Sequence, residues 1–88
     1  HFKLTEAASI VALCEDQKEI DRLWNALTAN GGQESQCGWL KDRFGLSWQI
    51  IPEGIDRMVG DPAKGAKVWE ALMPMKKIDL AKLKAAYT

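Results

Sequence analysis

The chain has 88 residues, of which 47% are hydrophobic, and its 12 basic and 12 acidic side chains give a formal net charge of zero. A chain of this length forms one domain. Because it has no excess of basic residues to neutralise phosphates, we expect no nucleic-acid partner.

The apolar runs and the cysteines bear on the cellular compartment. No run approaches the ~20 apolar residues of a membrane helix, and no signal peptide is visible, so we expect a cytoplasmic protein without a membrane partner. Cys14 and Cys37 are the two cysteines of the chain, too few for a disulfide framework. We expect free thiols, with a Cys14–Cys37 bridge as the alternative. The chain begins at His1 rather than at methionine, which is consistent with a trimmed product or a fragment.

The first predicted elements are a strand and a helix. The run AASIVALC, residues 7–14, is short, apolar and partly β-branched, which favours a strand buried on at least one face. Asp16 is a helix N-cap residue, and Gly31-Gly32 allows the helix to end. Between them an apolar stripe at helical spacing is formed by Ile20, Leu23, Trp24 and Leu27.

Two further strands flank a predicted turn at residues 42–45. Asp favours the first position of a turn and Gly the last, and the strands cover residues 37–41 and 46–51. Pro52 ends the second strand, because it cannot donate a hydrogen bond to a neighbouring strand. Residues 33–36 are a loop or a frayed edge strand. Alternation along the second of these strands places Leu46, Trp48 and Ile50 on one face of the sheet. It places Ser47, Gln49 and Ile51 on the other face.

Residues 53–88 are predicted to be helical. Ile55, Met58 and Val59 indicate a short helix, and Asp61-Pro62 starts a second one. The predicted apolar stripe of that second helix consists of Ala66, Trp69, Leu72 and Met73. Pro74 breaks this helix, and Asp79 caps a last helix whose apolar side chains are Leu80, Leu83 and Tyr87. We therefore expect a strand–helix–strand–strand unit at 1–52, with 53–88 as a helical extension of the same domain.

The sequence contains no recognisable catalytic motif. It has no Gly-rich phosphate loop, no CxxC pair and no His/Cys cluster, and its only histidine is His1. Catalytic residues are therefore unknown and no metal ligand is predicted. A catalytic site would need a second chain or a missing half, and whether the protein is an enzyme is left open.

The most informative stretch is CGWLKDRFGLSWQIIP, residues 37–52, because it places a neutral amide, Gln49, among aromatic and branched apolar residues. Gln49 and Ser9 either bond each other and the sheet, or face a ligand. Trp39 and Trp48 either pack in a core or a dimer contact, or stack on a planar ligand, and Trp24 and Trp69 are core or interface residues. The turn residues 41–43 are expected to be exposed, and the Cys37 thiol inert. The candidate ligand-binding residues are Ser9, Cys37, Trp39, Ser47 and Gln49.

The order of these elements, with CEDQKEIDRLWNAL, then GGQESQCGWLKDRFGLSWQIIP, then DPAKGAKVWEALMPMKKIDLAKLKAAY, resembles a known family. It is similar to the C-terminal half of the vicinal oxygen chelate superfamily of glyoxalases, bleomycin-resistance proteins and dioxygenases. Within it, the chain resembles the 3-demethylubiquinone-9 3-methyltransferase-like branch. The resemblance implies an α+β fold: a βαβββ half-module with a curved mixed sheet, one packing helix and C-terminal helices. Two such modules form a cleft, so it also implies a homodimer.

The resemblance also implies where a metal would bind. Metal-binding members use a carboxylate on the last strand of a module, which corresponds to Gln49, and often a histidine on the first strand, which corresponds to Ser9. An amide and a hydroxyl are poor ligands for a divalent ion, so we expect hydrogen bonds to an organic ligand there. No cofactor is evident. The glycine-rich loop and acidic ribose-binding residue of common methyl-donor enzymes are also missing.

Three functions remain open at this point. The first is a small-molecule-binding module with a cleft between two half-modules. The second is a divalent-metal-dependent enzyme of the same superfamily, with ligands from a missing half or a partner chain. The third is a structural dimerisation domain without a ligand.

Overall fold

Four strands form one mixed sheet in the computed structural model, which describes residues 9–88. The strands are β1 (Ser9–Cys14), β2 (Gln33–Glu34), β3 (Trp39–Lys41) and β4 (Ser47–Pro52). Their order across the sheet is β1-β4-β3-β2, with β1 parallel to β4 and the other pairs antiparallel. The crossover between the parallel strands contains the first helix, so the unit has βαβββ connectivity.

Four α-helices accompany the sheet: α1 (Gln17–Thr28), α2 (Ile55–Val59), α3 (Gly65–Leu72) and α4 (Leu80–Tyr87). The predicted α+β fold, with a βαβββ-type half-module, one packing helix and C-terminal helices, is confirmed. None of the helices in the described range combines the length and the hydropathy that a membrane span requires.

Helix α1 begins and ends where the local sequence predicts. The Asp16 carboxylate accepts a hydrogen bond from the Glu19 amide at 2.9 Å, which satisfies a free donor of the first turn. At the other end, the short 3-10 turn Ala29–Gly31 follows the helix, and Asn30 adopts a left-handed φ of 57°. Asn tolerates this conformation better than most residues, and it stops the α-helix just before Gly31-Gly32.

Helix α1 covers one side of the sheet, which we call the outer face. Its apolar stripe packs there as predicted: Ile20 and Trp24 are buried, and Leu23 and Leu27 are partly buried. The strand residues of this core are Ala12, Cys14, Leu40, Trp48 and Ile50. Burial raises the pKa of the Cys14 thiol, because desolvation disfavours the thiolate. Both cysteines are free, as expected.

The opposite side of the sheet, the inner face, carries a mixture of polar and apolar side chains. Strand alternation and the register place nine residues on it: Ser9, Val11, Leu13, Gln33, Trp39, Lys41, Ser47, Gln49 and Ile51. The alternation predicted for β4 is therefore confirmed, although Leu46 lies just before the strand. This face contains four of the five candidate ligand-binding residues.

The turn between β3 and β4 is organised by one carboxylate. Asp42 Oδ1 accepts hydrogen bonds from the amides of Phe44 and Leu46 at 2.9 and 3.0 Å. Its Oδ2 accepts a 2.9 Å bond from Nε1 of Trp48, and this bond is the main cause of the lowered pKa of Asp42. Gly45 donates its amide to the Asp42 carbonyl at 3.0 Å. The predicted turn is confirmed, and it fixes the register of the two strands.

Strand β3 starts two residues later than predicted. Cys37 has a left-handed φ of 57°, which a strand cannot contain, and Gly38 follows with a φ of 86°. The amides of Cys37 and Gly38 instead donate to the carbonyls of Met75 and Lys76, at 2.7 and 2.8 Å. The C-terminal segment thus diverts these two residues from the sheet, which the local sequence does not reveal.

The phase of α3 also differs from the prediction. Gly65, Val68 and Leu72 face the interior, whereas Trp69 is 47% and Met73 is 63% exposed. A β-carbon at Gly65 would lie 2.3 Å from the Val59 carbonyl oxygen, so the close approach of α3 to α2 needs glycine here and determines which face is buried. The second core lies between these helices, and its buried members are Val68, Leu72, Ile78 and Leu83.

One side chain joins α1 to the C-terminal segment. Gln17 Nε2 donates to the Ile78 carbonyl at 2.9 Å, and Gln17 Oε1 accepts from the Leu80 amide at 2.7 Å. Asp79 caps α4 through a 3.2 Å bond to the Lys82 amide, as predicted. An ion pair between Asp21 and Lys77 at 2.9 Å lies beside this bridge. The start of α4 is therefore held against the start of α1.

Candidate functional site

A groove of about 250 Å³ lies between the inner face and helices α2 and α3. We call it the inner groove. Three of its nine lining residues are candidates from the sequence: Cys37, Trp39 and Gln49. The other six are Ile51, Ile55, Asp56, Val59, Trp69 and Leu72. A mostly apolar lining with a few polar groups is typical of small-molecule sites.

The two remaining candidates, Ser9 and Ser47, lie on the inner face but outside the groove lining. Gln49 Nε2 donates to Ser9 Oγ at 3.0 Å, so these two side chains bond each other across β1 and β4. In the described part of the chain, Gln49 Oε1 accepts no hydrogen bond. The Gln49 amide is therefore held in place by Ser9 through its nitrogen, and no described residue donates to its oxygen.

Ser47 has an unusual environment. It is 1% exposed, and its hydroxyl has no hydrogen-bond partner among residues 9–88. A buried hydroxyl without a partner costs about 1–3 kcal/mol, and such groups are uncommon in native structures. Ser47 pairs directly with Ser9 on one side and with Lys41 on the other. The unpartnered Ser47 hydroxyl thus belongs to a row of polar residues.

Lys41 is placed differently from the prediction. The sequence predicts an exposed turn at residues 41–43, but Lys41 is the last residue of β3, is only partly exposed, and belongs to the inner face. The pairing of β3 with β4 extends one residue further than the turn signal suggests, and this places Lys41 opposite Ser47 in the sheet. Arg43 is exposed, as predicted.

The four tryptophans divide between the two faces. Trp39 and Trp69 line the inner groove, one from the sheet and one from α3. Trp24 and Trp48 belong to the core between the outer face and α1, and the Trp48 indole donates a hydrogen bond to Asp42. Ligand stacking therefore stays a prediction for Trp39, whereas Trp48 packs on the other side of the sheet.

Sequence reasoning missed one wall of the groove. Ile55, Asp56 and Val59 come from α2, and Leu72 comes from α3. Nothing in a helical pattern indicates which sheet face a later helix will cover. The only indication of the helical wall in the sequence is Trp69, which is predicted to be a core or interface residue.

The residues at the superfamily's metal positions do not suit a divalent ion. Ser9 and Gln49 are neutral, and the Gln49 amide nitrogen donates to the Ser9 oxygen that would have to coordinate the metal. Residues 9–88 contain no group of three His, Cys, Asp or Glu side chains with a suitable arrangement. Hydroxyl and amide oxygens carry no charge to offset that of the ion. We derive no metal-dependent step from this donor set.

A second, larger groove of about 360 Å³ lies among the C-terminal helices. Its lining includes Glu53, Arg57 and Tyr87. The Tyr87 hydroxyl already donates to Asp61 Oδ2 at 3.2 Å, and this bond is the first cause of its raised pKa. We favour the inner groove despite its smaller volume, since it joins an apolar wall to the Gln49 amide, to whose oxygen none of residues 9–88 donates.

Comparison with known protein families identifies the family to which the chain belongs. A family model described as 3-demethylubiquinone-9 3-methyltransferase matches residues 1–51, which is more than half of the chain. The chain belongs to this family. The 3-demethylubiquinone-9 3-methyltransferase family has a glyoxalase-like, vicinal-oxygen-chelate type of domain, in agreement with the βαβββ connectivity. A comparison with curated proteins gives no match.

The family match covers the sheet side of the inner groove but not its helical side. All five candidates, Ser9, Cys37, Trp39, Ser47 and Gln49, lie in the part of the chain that matches the 3-demethylubiquinone-9 3-methyltransferase family. The match ends before α2, so the helical wall of the groove lies outside it. The sheet side of the site therefore belongs to the family domain, and the helical side is added by residues 53–88.

Proposed function

We propose that this chain is a small-molecule-binding module of the glyoxalase and bleomycin-resistance type, and that a second copy of the chain completes its cleft. The observation that carries the proposal is the inner groove, where an apolar wall meets the Gln49 amide, whose oxygen accepts no hydrogen bond from residues 9–88. The family assignment supports it, because this type of domain builds clefts from paired half-modules.

The lining favours a flat, mostly apolar ligand. Trp39 presents an aromatic side chain from the sheet, and Trp69 presents another from α3. Aromatic side chains bind planar groups through stacking and apolar contact. Gln49 Oε1 supplies a single hydrogen-bond acceptor. The volume of about 250 Å³ is below the ~300 Å³ lower end of drug-sized pockets, which suits a ligand body of one or two rings.

The exposed apolar side chains around the groove support the second copy. Val11 and Leu13 on β1 are 50% and 58% exposed, and both belong to the inner face. Met73 on α3 is 63% exposed. Strand β1 pairs only with β4 within residues 9–88, so one of its edges is unpaired there. A second copy seated on β1 would cover these side chains and close the groove.

Binding is tested with 2-naphthylmethanol, a neutral two-ring probe with one hydroxyl. The four indole N–H signals in a ¹H–¹⁵N spectrum report on both faces of the sheet. We expect the probe to shift the signals of Trp39 and Trp69 and to leave those of Trp24 and Trp48 in place. Gln49→Leu should weaken binding about 2- to 10-fold, since it removes one hydrogen-bond acceptor.

The control for this substitution is Gln36→Leu, the same chemical change at an exposed residue outside the groove lining. It should leave the affinity for the probe unchanged. The proposed ligand site is wrong if the probe shifts no indole signal at the groove, or if Gln49→Leu and Gln36→Leu bind it equally well.

The second copy is tested by the mass of the chain in solution, measured by light scattering after size exclusion. We expect a dimer for the native chain and a monomer for Leu13→Lys, because a charge buried at the contact has no partner. Phe44→Lys is the control, since Phe44 is 74% exposed at the turn between β3 and β4. A monomeric native chain would refute the dimer and leave the groove open to solvent on that side.

A further inference from the structure

Gln33, Lys41, Ser47 and Ser9 form a polar row across the inner face. Ser47 pairs with Lys41 in β3 and with Ser9 in β1, and directly paired residues project from the same face. The next row along the strands consists of Trp39, Gln49 and Val11, and the one after it of Ile51 and Leu13. The inner face is thus polar and cationic at one end and apolar at the other.

Two groups of the polar row have unused hydrogen-bond donors. In the described part of the chain, the Lys41 ammonium takes part in neither a hydrogen bond nor an ion pair, although the residue is only partly exposed. The Ser47 hydroxyl is buried and likewise without a partner there. An ammonium and a hydroxyl side by side are complementary to an oxyanion, which accepts bonds from both. No carboxylate side chain belongs to any of the three rows.

The spacing connects this row to the inner groove. Trp39 and Gln49, which line the groove, lie two residues along their strands from Lys41 and Ser47, a distance of about 7 Å. That separation matches a group attached directly to a small ring system. Asp56 lines the groove from α2. Its negative charge disfavours an anion beside it, so a carboxylate on the ligand is expected at the polar row instead.

We propose that the ligand is a small apolar monocarboxylate. Its ring or hydrocarbon body lies in the inner groove against Trp39. Its carboxylate accepts a hydrogen bond from Lys41 and, once binding opens the polar row, a second one from the Ser47 hydroxyl, which is buried in the free protein. This inference rests on the proposed function, whose site it shares. It adds the charge of the ligand, the orientation in which it binds, and two residues that select it.

The test compares two probes with the same ring system, 2-naphthoate and 2-naphthylmethanol, by calorimetric titration of the native chain. We expect the anion to bind about 10- to 100-fold more tightly, the range of a charge-assisted hydrogen bond. Lys41→Met removes the charge while keeping most of the length of the side chain. It should abolish the preference for naphthoate and leave the affinity for the alcohol unchanged.

Two further variants separate the site from general charge effects. Lys18→Met removes an exposed cation from α1, on the other side of the sheet, and should preserve the preference for the anion. Ser47→Ala should lower the affinity for naphthoate without lowering the melting temperature of the free protein, because the hydroxyl bonds to no described residue. It should not change the affinity for the alcohol.

The outcomes distinguish this inference from the proposed function. If the alcohol binds in the groove but naphthoate binds no more tightly, or if Lys41→Met keeps the preference, the carboxylate site is wrong and the binding module stands. If neither probe shifts the signals of Trp39 and Trp69, the proposed function fails and the inference fails with it.

Discussion

Gly38→Ala is expected to destabilise the protein by about 3–4 kcal/mol, combining left-handed backbone strain with overpacking. Gly38 has a φ of 86°, which disfavours any residue with a β-carbon. The added carbon would also lie 2.8 Å from Ile78 Cδ1 and 2.9 Å from the Ile50 carbonyl oxygen. That carbonyl cannot retreat easily, since the Ile50 amide donates to the Gly38 carbonyl at 2.7 Å. Urea unfolding followed by far-UV circular dichroism measures the change.

Gly45→Ala is the matched control. Its φ of 85° is nearly the same, but an added β-carbon would meet nothing within 4 Å. Gly45→Ala should therefore lower the free energy of unfolding only by the backbone strain, about 1 kcal/mol. Equal losses for the two variants would mean that the contact with Ile50 and Ile78 is unimportant. Because Gly38 lies between Cys37 and Trp39, we also expect Gly38→Ala to weaken binding in the inner groove.

Gln17→Ala should cost about 2–3 kcal/mol, because it leaves two backbone groups without partners. The Ile78 carbonyl loses its 2.9 Å bond, and the Leu80 amide loses its 2.7 Å bond at the start of α4. Ile78 is fully buried, so water cannot easily replace the lost donor. Thermal and urea unfolding measure the loss, and hydrogen exchange at α4 should show where the protein opens.

Two other variants are compared with Gln17→Ala. Lys18→Ala changes an exposed neighbour on the same helix and should leave stability nearly unchanged. Gln17→Glu keeps the acceptor for the Leu80 amide but places a carboxylate oxygen against the Ile78 carbonyl and Asp21 Oδ1, so we expect a loss at least as large as that of Gln17→Ala. The adjacent Asp21–Lys77 ion pair adds little, as both side chains are well exposed. If Gln17→Ala matched Lys18→Ala, the C-terminal segment would be held by the apolar core alone.

The elements that are encoded locally could be predicted from the sequence. The N-cap at Asp16 and the stripe of Ile20 and Trp24 specify α1 and its buried face without reference to the rest of the chain. The turn after Asp42 and the alternation of β4 are local in the same sense. The bond between Gln49 and Ser9 is one of the two alternatives that the sequence predicts, and among residues 9–88 the amide oxygen has no donor.

The features that were missed depend on distant parts of the chain. Cys37 leaves the strand because Met75 and Lys76 offer its segment hydrogen-bond acceptors, a contact that no local pattern contains. The buried face of α3 follows from the fit of Gly65 against Val59 rather than from its own apolar stripe. Of the groove lining, Cys37, Trp39 and Gln49 could therefore be named from the sequence, whereas the helical wall could not.

Strand β4 is translated last among the four strands, yet it lies between β1 and β3 in the sheet. The parallel pairing of Ser9 with Ser47 encloses α1 and both other strands in one long loop. Closing such a loop is entropically costly and slows folding. During translation, β1 with its exposed Val11 and Leu13 therefore has no strand to join until β4 leaves the ribosome. The growing chain presents an apolar strand edge throughout that interval, which makes it a natural substrate for chaperones that bind extended segments.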